Sequence, residues 1–319
     1  MAEGFKLWAN PSSPHAEGRK ARGALEDARE RIKAALEWDG ELTFTSGASE
    51  ALAIGLGRSR FGRQVVSPVE HDAVFRAAPA AEILALENRE LVLPDDLQNA
   101  VVAIQQVNSE TGSMMLEMGN VAAAVAERGG VLLADCAQGA GECPLPACHM
   151  AVVSAHKLGG PVGVGALLVR DFAMLEPVGG HERGYRAGTE NLPGALGFAA
   201  ALEASRGADR AARQAIRARF SEQIAAFRLI AGQMHDDRIF ALVHPSMSAQ
   251  SLLIRLDAAG IAVSAGSACS SGTLKRSRVL AAFGIDEEVA ARTIRVSLGW
   301  STTSADLDRF VDAWSSLLP

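Results

Sequence analysis

Apolar positions recur at helical spacing through an alanine-rich, charged stretch from residue 18 to 36, which predicts a helix. From about Leu42 to Val169 the pattern changes to short strand-like runs alternating with helical stretches. Gly130-Val-Leu-Leu-Ala-Asp135, Ala151-Val-Val-Ser154 and Val164 to Val169 are apolar at consecutive positions, not at every second one. Strands of that kind are covered on both faces, so the expected class is α/β, with a mostly parallel sheet flanked by helices. Another helix is predicted to begin near Leu192 or Pro193, and Arg210 to Met234 reads as one long amphipathic helix. Beyond it, Gln250 to Ala259 and Ser304 to Leu318 predict helices, and Ile261 to Ser264 and Thr293 to Leu298 predict strands of a smaller α+β domain. The expected division is a large domain over residues 15–225 and a small one over 226–319, with residues 1–14 packed on the small one.

Composition narrows the functional classes. With 319 residues, 48% of them hydrophobic, the chain can bury a large core and fill about two domains. A net charge of −6 gives no electrostatic reason to expect nucleic acid as a partner. No apolar run approaches the roughly 18 residues of a membrane span. Met1-Ala-Glu-Gly-Phe-Lys6 lacks the basic and apolar regions of a signal peptide, and the expected compartment is the cytoplasm. Three of the four cysteines crowd between residues 136 and 148, which is no disulfide framework. Cys143, Cys148 and His149 lack the further ligands of a structural zinc site, so no metal is expected. Gly163-Val-Gly165 lacks the third glycine of a dinucleotide fingerprint and lies at a strand.

Candidate chemistry concentrates at strand ends. The run ending in Ser154, His156 and Lys157 delivers one lysine just past a buried strand, followed by two glycines that let backbone approach a ligand. A desolvated lysine is nucleophilic toward carbonyls near neutral pH. Asp135 ends the neighbouring apolar run, and in a parallel sheet both ends meet at the edge where open α/β folds bind ligands. A carboxylate there can keep a pyridine nitrogen protonated, so the pair fits pyridoxal phosphate; the bland reading of Asp135 is a helix cap. Cys269 stands in Ser264-Ala-Gly-Ser-Ala-Cys-Ser-Ser-Gly272, where few side chains can anchor a loop. Ser271 or Thr273 can cap a helix expected near Leu274, whose N-terminus would favour a thiolate. The alternative is an ordinary small loop with an apolar cysteine.

Eight motifs then stand in the order found in one family. They are Phe44-Thr-Ser-Gly-Ala-Ser49-Glu50, Glu70-His71, Val107-Asn-Ser-Glu-Thr-Gly112, Asp135-Cys-Ala-Gln138, Ser154-Ala-His-Lys157, Glu182-Arg-Gly-Tyr-Arg-Ala-Gly-Thr-Glu-Asn191, Gly266-Ser-Ala-Cys-Ser-Ser271 and Ile294-Arg-Val-Ser-Leu-Gly299. In this the chain resembles the cysteine desulfurases of the NifS- and IscS-like group, class V, fold-type I pyridoxal phosphate enzymes, from about Asn10 onward. The resemblance implies a seven-stranded large-domain sheet, pyridoxal phosphate as cofactor, L-cysteine as substrate, a homodimer, and a sulfur-acceptor protein such as an iron-sulfur scaffold. Lys157 would carry the cofactor and Cys269 would take sulfur from cysteine, leaving alanine.

The same resemblance distributes the other roles. His71 would lie over the cofactor ring and near the protons being moved, its neutral form stacking and its charged form donating; the alternative is a structural histidine. Gln138 would donate to the ring's phenolic oxygen, near Asn108. Ser49, Ser154 and His156 resemble a phosphate cradle, helped by a helix start at Ser49. Thr189 resembles a threonine that reaches the phosphate of the neighbouring subunit. Arg295 and Ser297 share one face of an alternating run, and the Arg295 guanidinium can grip an α-carboxylate with two parallel hydrogen bonds; its alternative is a structural ion pair.

Three positions depart from the family's pattern. The chain starts close to Asn10-Pro-Ser-Ser-Pro-His15, so the family's leading segment beside the active site is expected to be missing. Ser109 stands where a second asparagine is usual, and Trp300 where a basic residue is common. The rival functions are a selenocysteine lyase, an aminotransferase-like enzyme, and a shortened non-catalytic scaffold.

Overall fold

The computed structural model describes the chain apart from residues 116–117, 206–209, 231–233 and 266–275. Its helices in chain order are α1 (Ala2–Lys6), α2 (Ala16–Leu36), α3 (Ala48–Gly57), α4 (Asp72–Ala77), α5 (Met118–Glu127), α6 (Leu192–Ser205), α7 (Arg210–Gln223), α8 (Ala249–Ala258), α9 (Arg278–Ala282), α10 (Glu287–Ala290) and α11 (Ser304–Ser316). The strands are β1 (Glu41–Thr45), β2 (Arg63–Val66), β3 (Glu82–Ile83), β4 (Ala85–Glu87), β5 (Glu90–Val92), β6 (Ala100–Gln105), β7 (Val131–Asp135), β8 (Met150–Ser154), β9 (Gly165–Val169), β10 (Ile239–Val243), β11 (Ser264–Ala265) and β12 (Thr293–Ser297). Two compact units result. The first holds Met1–Ala85, Leu91–Gln106 and Leu116–Gly207, and the second Leu86–Glu90, Val107–Met115 and Ala208–Pro319.

The first unit is built on a seven-stranded sheet in the order β1-β9-β8-β7-β6-β2-β3. Only β9 opposes the others, pairing antiparallel with both β1 and β8. Every residue of β6, β7, β8 and β9 is buried, as their unbroken apolar runs predict for strands covered on both faces. Leu52 and Leu56 of α3 join Val101, Leu133, Val152 and Leu167 of the sheet in one core. Helix α2 buries Ala21, Leu25, Ala28, Ile32 and Leu36, spaced three and four apart, and packs on α6, as α1 also does. The His15 side chain accepts the Gly18 N–H at its start, and Glu37 in a left-handed conformation ends it.

Register decides where the strand ends fall. Gln105 pairs with Asp135, and Asp135 with Val152, so β6, β7 and β8 run out at one edge of the sheet. Val66 of β2 pairs with Ala103 at the same end, and Thr45 of β1 lies opposite Gly165, as Ser154 does from the other side.

The second unit has a three-stranded antiparallel sheet, β10-β12-β11. Phe220 meets the rings of Phe240 and Phe310 edge-on, and Trp314 closes the same core. The helix expected to run to Met234 stops at Gln223. After buried Ile224 the chain makes a tight turn at Ala225–Phe227 and returns beside β10, where the Leu229 N–H bonds to the Ala241 carbonyl at 2.9 Å. Pairing with the sheet outweighs the helical pattern there. The strand expected over 261–264 is reduced to β11, with Ile261 and Val263 used instead as packing residues. Leu274, expected to open a helix, lies outside the described residues; the described helix α9 begins at Arg278 and is capped by Ser277 through the Leu280 N–H. No helix among the described residues is long and apolar enough to cross a membrane.

Candidate active site

Strand β8 ends at Ser154 because the chain tightens into a single 3-10 turn, Ala155–Leu158, closed by Gly159 in a left-handed conformation (φ 85°). The turn carries Lys157 exposed at the sheet edge, above fully buried Ser154. Lys157 was expected to be desolvated by the strand. The strand's burial stops at Ala155, and what it supplies is position at the edge. Ser154 Oγ lies 2.9 Å from Nδ1 of His156. Burial and the Lys157 charge hold the His156 imidazole below its ordinary pKa, which favours the neutral ring at pH 7.

Asp135, 7% exposed, projects from the end of β7. Its Oδ1 accepts the Ala137 N–H at 2.9 Å, so the capping role is real. Oδ2 makes no hydrogen bond among the described residues, which leaves one oxygen for a ligand. Burial pushes the carboxyl up to about 6, against the pull of the Ala137 amide and the Lys157 charge. Both residue types expected for the cofactor's reactive ring thus stand at adjacent strand ends. Gln138 follows in the same turn, half-buried.

The start of α3 lies beside Ser154. Gly47, the residue before α3, has φ 151° and ψ −178°, a conformation open essentially to glycine alone. A Cβ placed on Gly47 would lie 3.9 Å from Ser154 Oγ, and one on Gly165 would come within 2.8 Å of the Gly47 Cα. Two glycines therefore let the start of α3, with exposed Ser49 as its second residue, approach Ser154 and His156. The N–H groups at the start of a ten-residue helix, beside Ser154, are donors of the kind that hold a phosphate. Arg186 reaches this helix by a 3.1 Å ion pair with Glu50, and Thr189 lies exposed three residues on.

His71 precedes α4 and caps it, its Nδ1 accepting the Ala73 N–H at 3.1 Å. That bond puts the proton of the neutral ring on Nε2. Glu70, fully buried, accepts the Gln105 N–H through Oε1 at 2.8 Å and so ties the His71 turn to the end of β6. The Gln105 side chain bonds back to the Val69 carbonyl.

Two expected site residues belong to the second unit. Asn108 is fully buried, and its Oδ1 accepts from the Glu110 and Thr111 N–H groups and the Thr111 hydroxyl, so that oxygen shapes its own loop. Arg295, half-buried on β12, donates from Nη1 to the Ser109 carbonyl at 3.0 Å and from Nη2 to the Ser264 hydroxyl at 3.3 Å. Acceptors of this kind orient the guanidinium through its N–H groups. Ser109, the departure from the family's asparagine, contributes its backbone here. Cys269 lies outside the described residues.

Pairing partners escaped the sequence reading. Glu50, Glu70 and Glu182 stand inside the ordered motifs, but spacing does not reveal their burial or partners. Arg29, buried under β1, sits in a charged helical pattern that reads as a solvated face.

The fold and site are those of an α/β enzyme that binds a phosphorylated cofactor at a sheet edge, and known proteins agree. The aminotransferase class-V profile matches residues 4–310, and the chain belongs to that family. A cysteine desulfurase of Cereibacter sphaeroides is 33% identical over 342 residues, covering 96% of this chain and 87% of its own length. A cysteine desulfurase IscS of Dictyoglomus turgidum is 32% identical, covering 98% and 88%. A NifS-like protein of Rickettsia africae, 23% identical, superposes with a TM-score of 0.86 over 99% of this chain and 93% of its own. The chain is a pyridoxal phosphate-dependent enzyme, and the Asp135 carboxyl, the Lys157 amine and the Gly47 cradle suit the cofactor's nitrogen, aldehyde and phosphate.

Proposed function

We propose that the protein is a cysteine desulfurase acting as a cytoplasmic homodimer, converting L-cysteine to L-alanine and leaving the sulfur as a persulfide on Cys269. Sulfur then passes to an acceptor protein, such as a scaffold for iron-sulfur cluster assembly. Bound pyridoxal phosphate supplies an aldehyde for amines and a ring that takes up carbanion electrons. The observation that carries the reading is the placement of Asp135 and Lys157 at adjacent parallel strand ends beside the α3 cradle, in a chain whose relatives bear the desulfurase name over nearly its whole length.

Each residue has a task in this reaction. The Asp135 carboxylate would keep the ring nitrogen protonated by pairing with it. Ser49, Ser154, His156 and the α3 amides hold the phosphate, with Thr189 reaching the neighbouring subunit's. Gln138 would donate to the phenolic oxygen, and Asn108 would be a further contact to the cofactor. Lys157 would hold the cofactor and would move the proton at the substrate Cα. His71, fixed by its Nδ1 bond to Ala73, would stack on the ring with its Nε2–H available as a donor. Arg295 would bind the substrate carboxylate. The Cys269 thiolate then attacks the substrate sulfur, the carbon–sulfur bond breaks, and protonation of the carbon yields alanine.

The deciding assay follows alanine and sulfide from L-cysteine, with reductant and added pyridoxal phosphate, in wild type and Cys269→Ala. Equal yields of both in wild type, abolished in the variant, are expected. No alanine from wild type would overturn the assignment.

A further inference from the structure

One buried ion pair lies away from the reacting groups. Arg29 of α2 and Glu182 are 2% and 4% exposed and meet in a two-pronged contact, 2.8 Å from Nη1 and 3.1 Å from Nη2. Glu182 Oε2 also accepts the Phe44 N–H at 2.8 Å, on the outer side of β1, while Arg29 lies over the Phe44 ring and bonds the Leu42 carbonyl. The backbone around Glu182 is strained: Glu182, Arg183 and Gly184 have φ of 51°, 56° and 95° in succession. Two non-glycine residues in the left-handed region persist only where the surroundings impose them.

Well-packed apolar residues would fill such a site at least as stably as a buried ion pair, so stability alone does not explain the arrangement. Its geometric consequence is specific. Glu182 clamps the chain to β1, the strand that leads through Gly47 into α3. Four residues on, Arg186 is fixed by backbone pairing with His181 and by its ion pair to Glu50 in the first turn of α3. Gly188 then accepts from Arg186 and hands on to Thr189.

We propose that Arg29 and Glu182 are positioning residues for the phosphate sites of the dimer, setting the Arg186–Thr189 loop, which reaches the neighbouring subunit's phosphate, in register with the start of α3, which holds this subunit's own. The proposal rests on the cofactor role given above. Glu182→Gln keeps an acceptor for Phe44 and removes the charge; the double variant Arg29→Met with Glu182→Gln leaves no unpaired buried charge should the single one fail to fold.

The test titrates the cofactor-free protein with pyridoxal phosphate and, separately, with pyridoxal, and measures hydrogen exchange at the amides of residues 184–189. Pyridoxal phosphate should bind about ten- to a hundredfold more weakly to the folded variants, pyridoxal should bind as before, and the loop amides should exchange faster while those of β7 do not. Unchanged phosphate-dependent affinity with unchanged loop exchange would overturn the proposal. If wild type takes up no pyridoxal phosphate, it is the functional assignment that fails, and the exchange measurement still decides the anchoring role.

Discussion

Ser154 Oγ and His156 Nδ1 lie 2.9 Å apart, linking the last buried residue of a strand to the exposed turn that carries Lys157. Burial and the lysine charge hold His156 below its ordinary pKa of 6.5. A phosphate bound in the cradle adds negative charge and should reverse that shift. An NMR pH titration of His156 should therefore give a pKa below 6.5 in the free protein and a higher one with inorganic phosphate. A midpoint unmoved by phosphate would place the anion elsewhere.

With no ring nitrogen facing it, burial pushes the Asp135 carboxyl up to about 6. Its carboxyl is raised in the folded state, so the folded chain holds the proton more tightly than the unfolded chain. Stability from this group is greatest at low pH and is lost as pH rises between about 4 and 6. Asp135→Asn should stabilise the cofactor-free protein at pH 7 by up to about 3 kcal/mol and flatten that window. Denaturant melts at several pH values check this, and the same variant should lose desulfuration.

Gly47→Ala forces a side chain into backbone geometry that essentially only glycine adopts, at a cost of about 1–3 kcal/mol. Shifting the start of α3 relieves that strain and spoils the phosphate cradle. Lower thermal stability together with weaker uptake of pyridoxal phosphate is the expected result, read from melting curves and the cofactor's visible absorbance.

Glu70→Ala leaves the buried Gln105 N–H without its acceptor and should cost about 1–3 kcal/mol in urea unfolding. Glu70→Gln retains an oxygen there and should cost less.

Arg295→Lys keeps a charge but loses the planar grip and the two bonds to Ser109 and Ser264. With a charge-assisted bond worth about 1.5–3 kcal/mol, KM for cysteine should rise roughly ten- to a hundredfold. A kcat that falls as far while KM stays constant would argue against carboxylate binding.

Much of the site was legible because it sits at strand ends. An apolar run that stops at Asp135 or Ser154 marks both a buried strand and the point where it emerges, and the ordered motifs add the chemistry. The overextended helix after Arg210 shows the limit: amphipathic spacing continues past Gln223, but Leu229 finds its backbone partner on Ala241. The strand read at Ile261 fails likewise, since its apolar residues pack in the core while only Ser264 and Ala265 pair.

By itself the sequence determined the succession of buried strands and amphipathic helices, the residues at their ends, and through its motifs the family, because these depend on local period and residue type. Tertiary structure alone decided which charges are buried and whom they meet. Arg29 finds Glu182 across 153 positions, and Glu70 finds Gln105 across 35. A charge leaves water only where distant chain supplies its partners, and no local pattern records that placement.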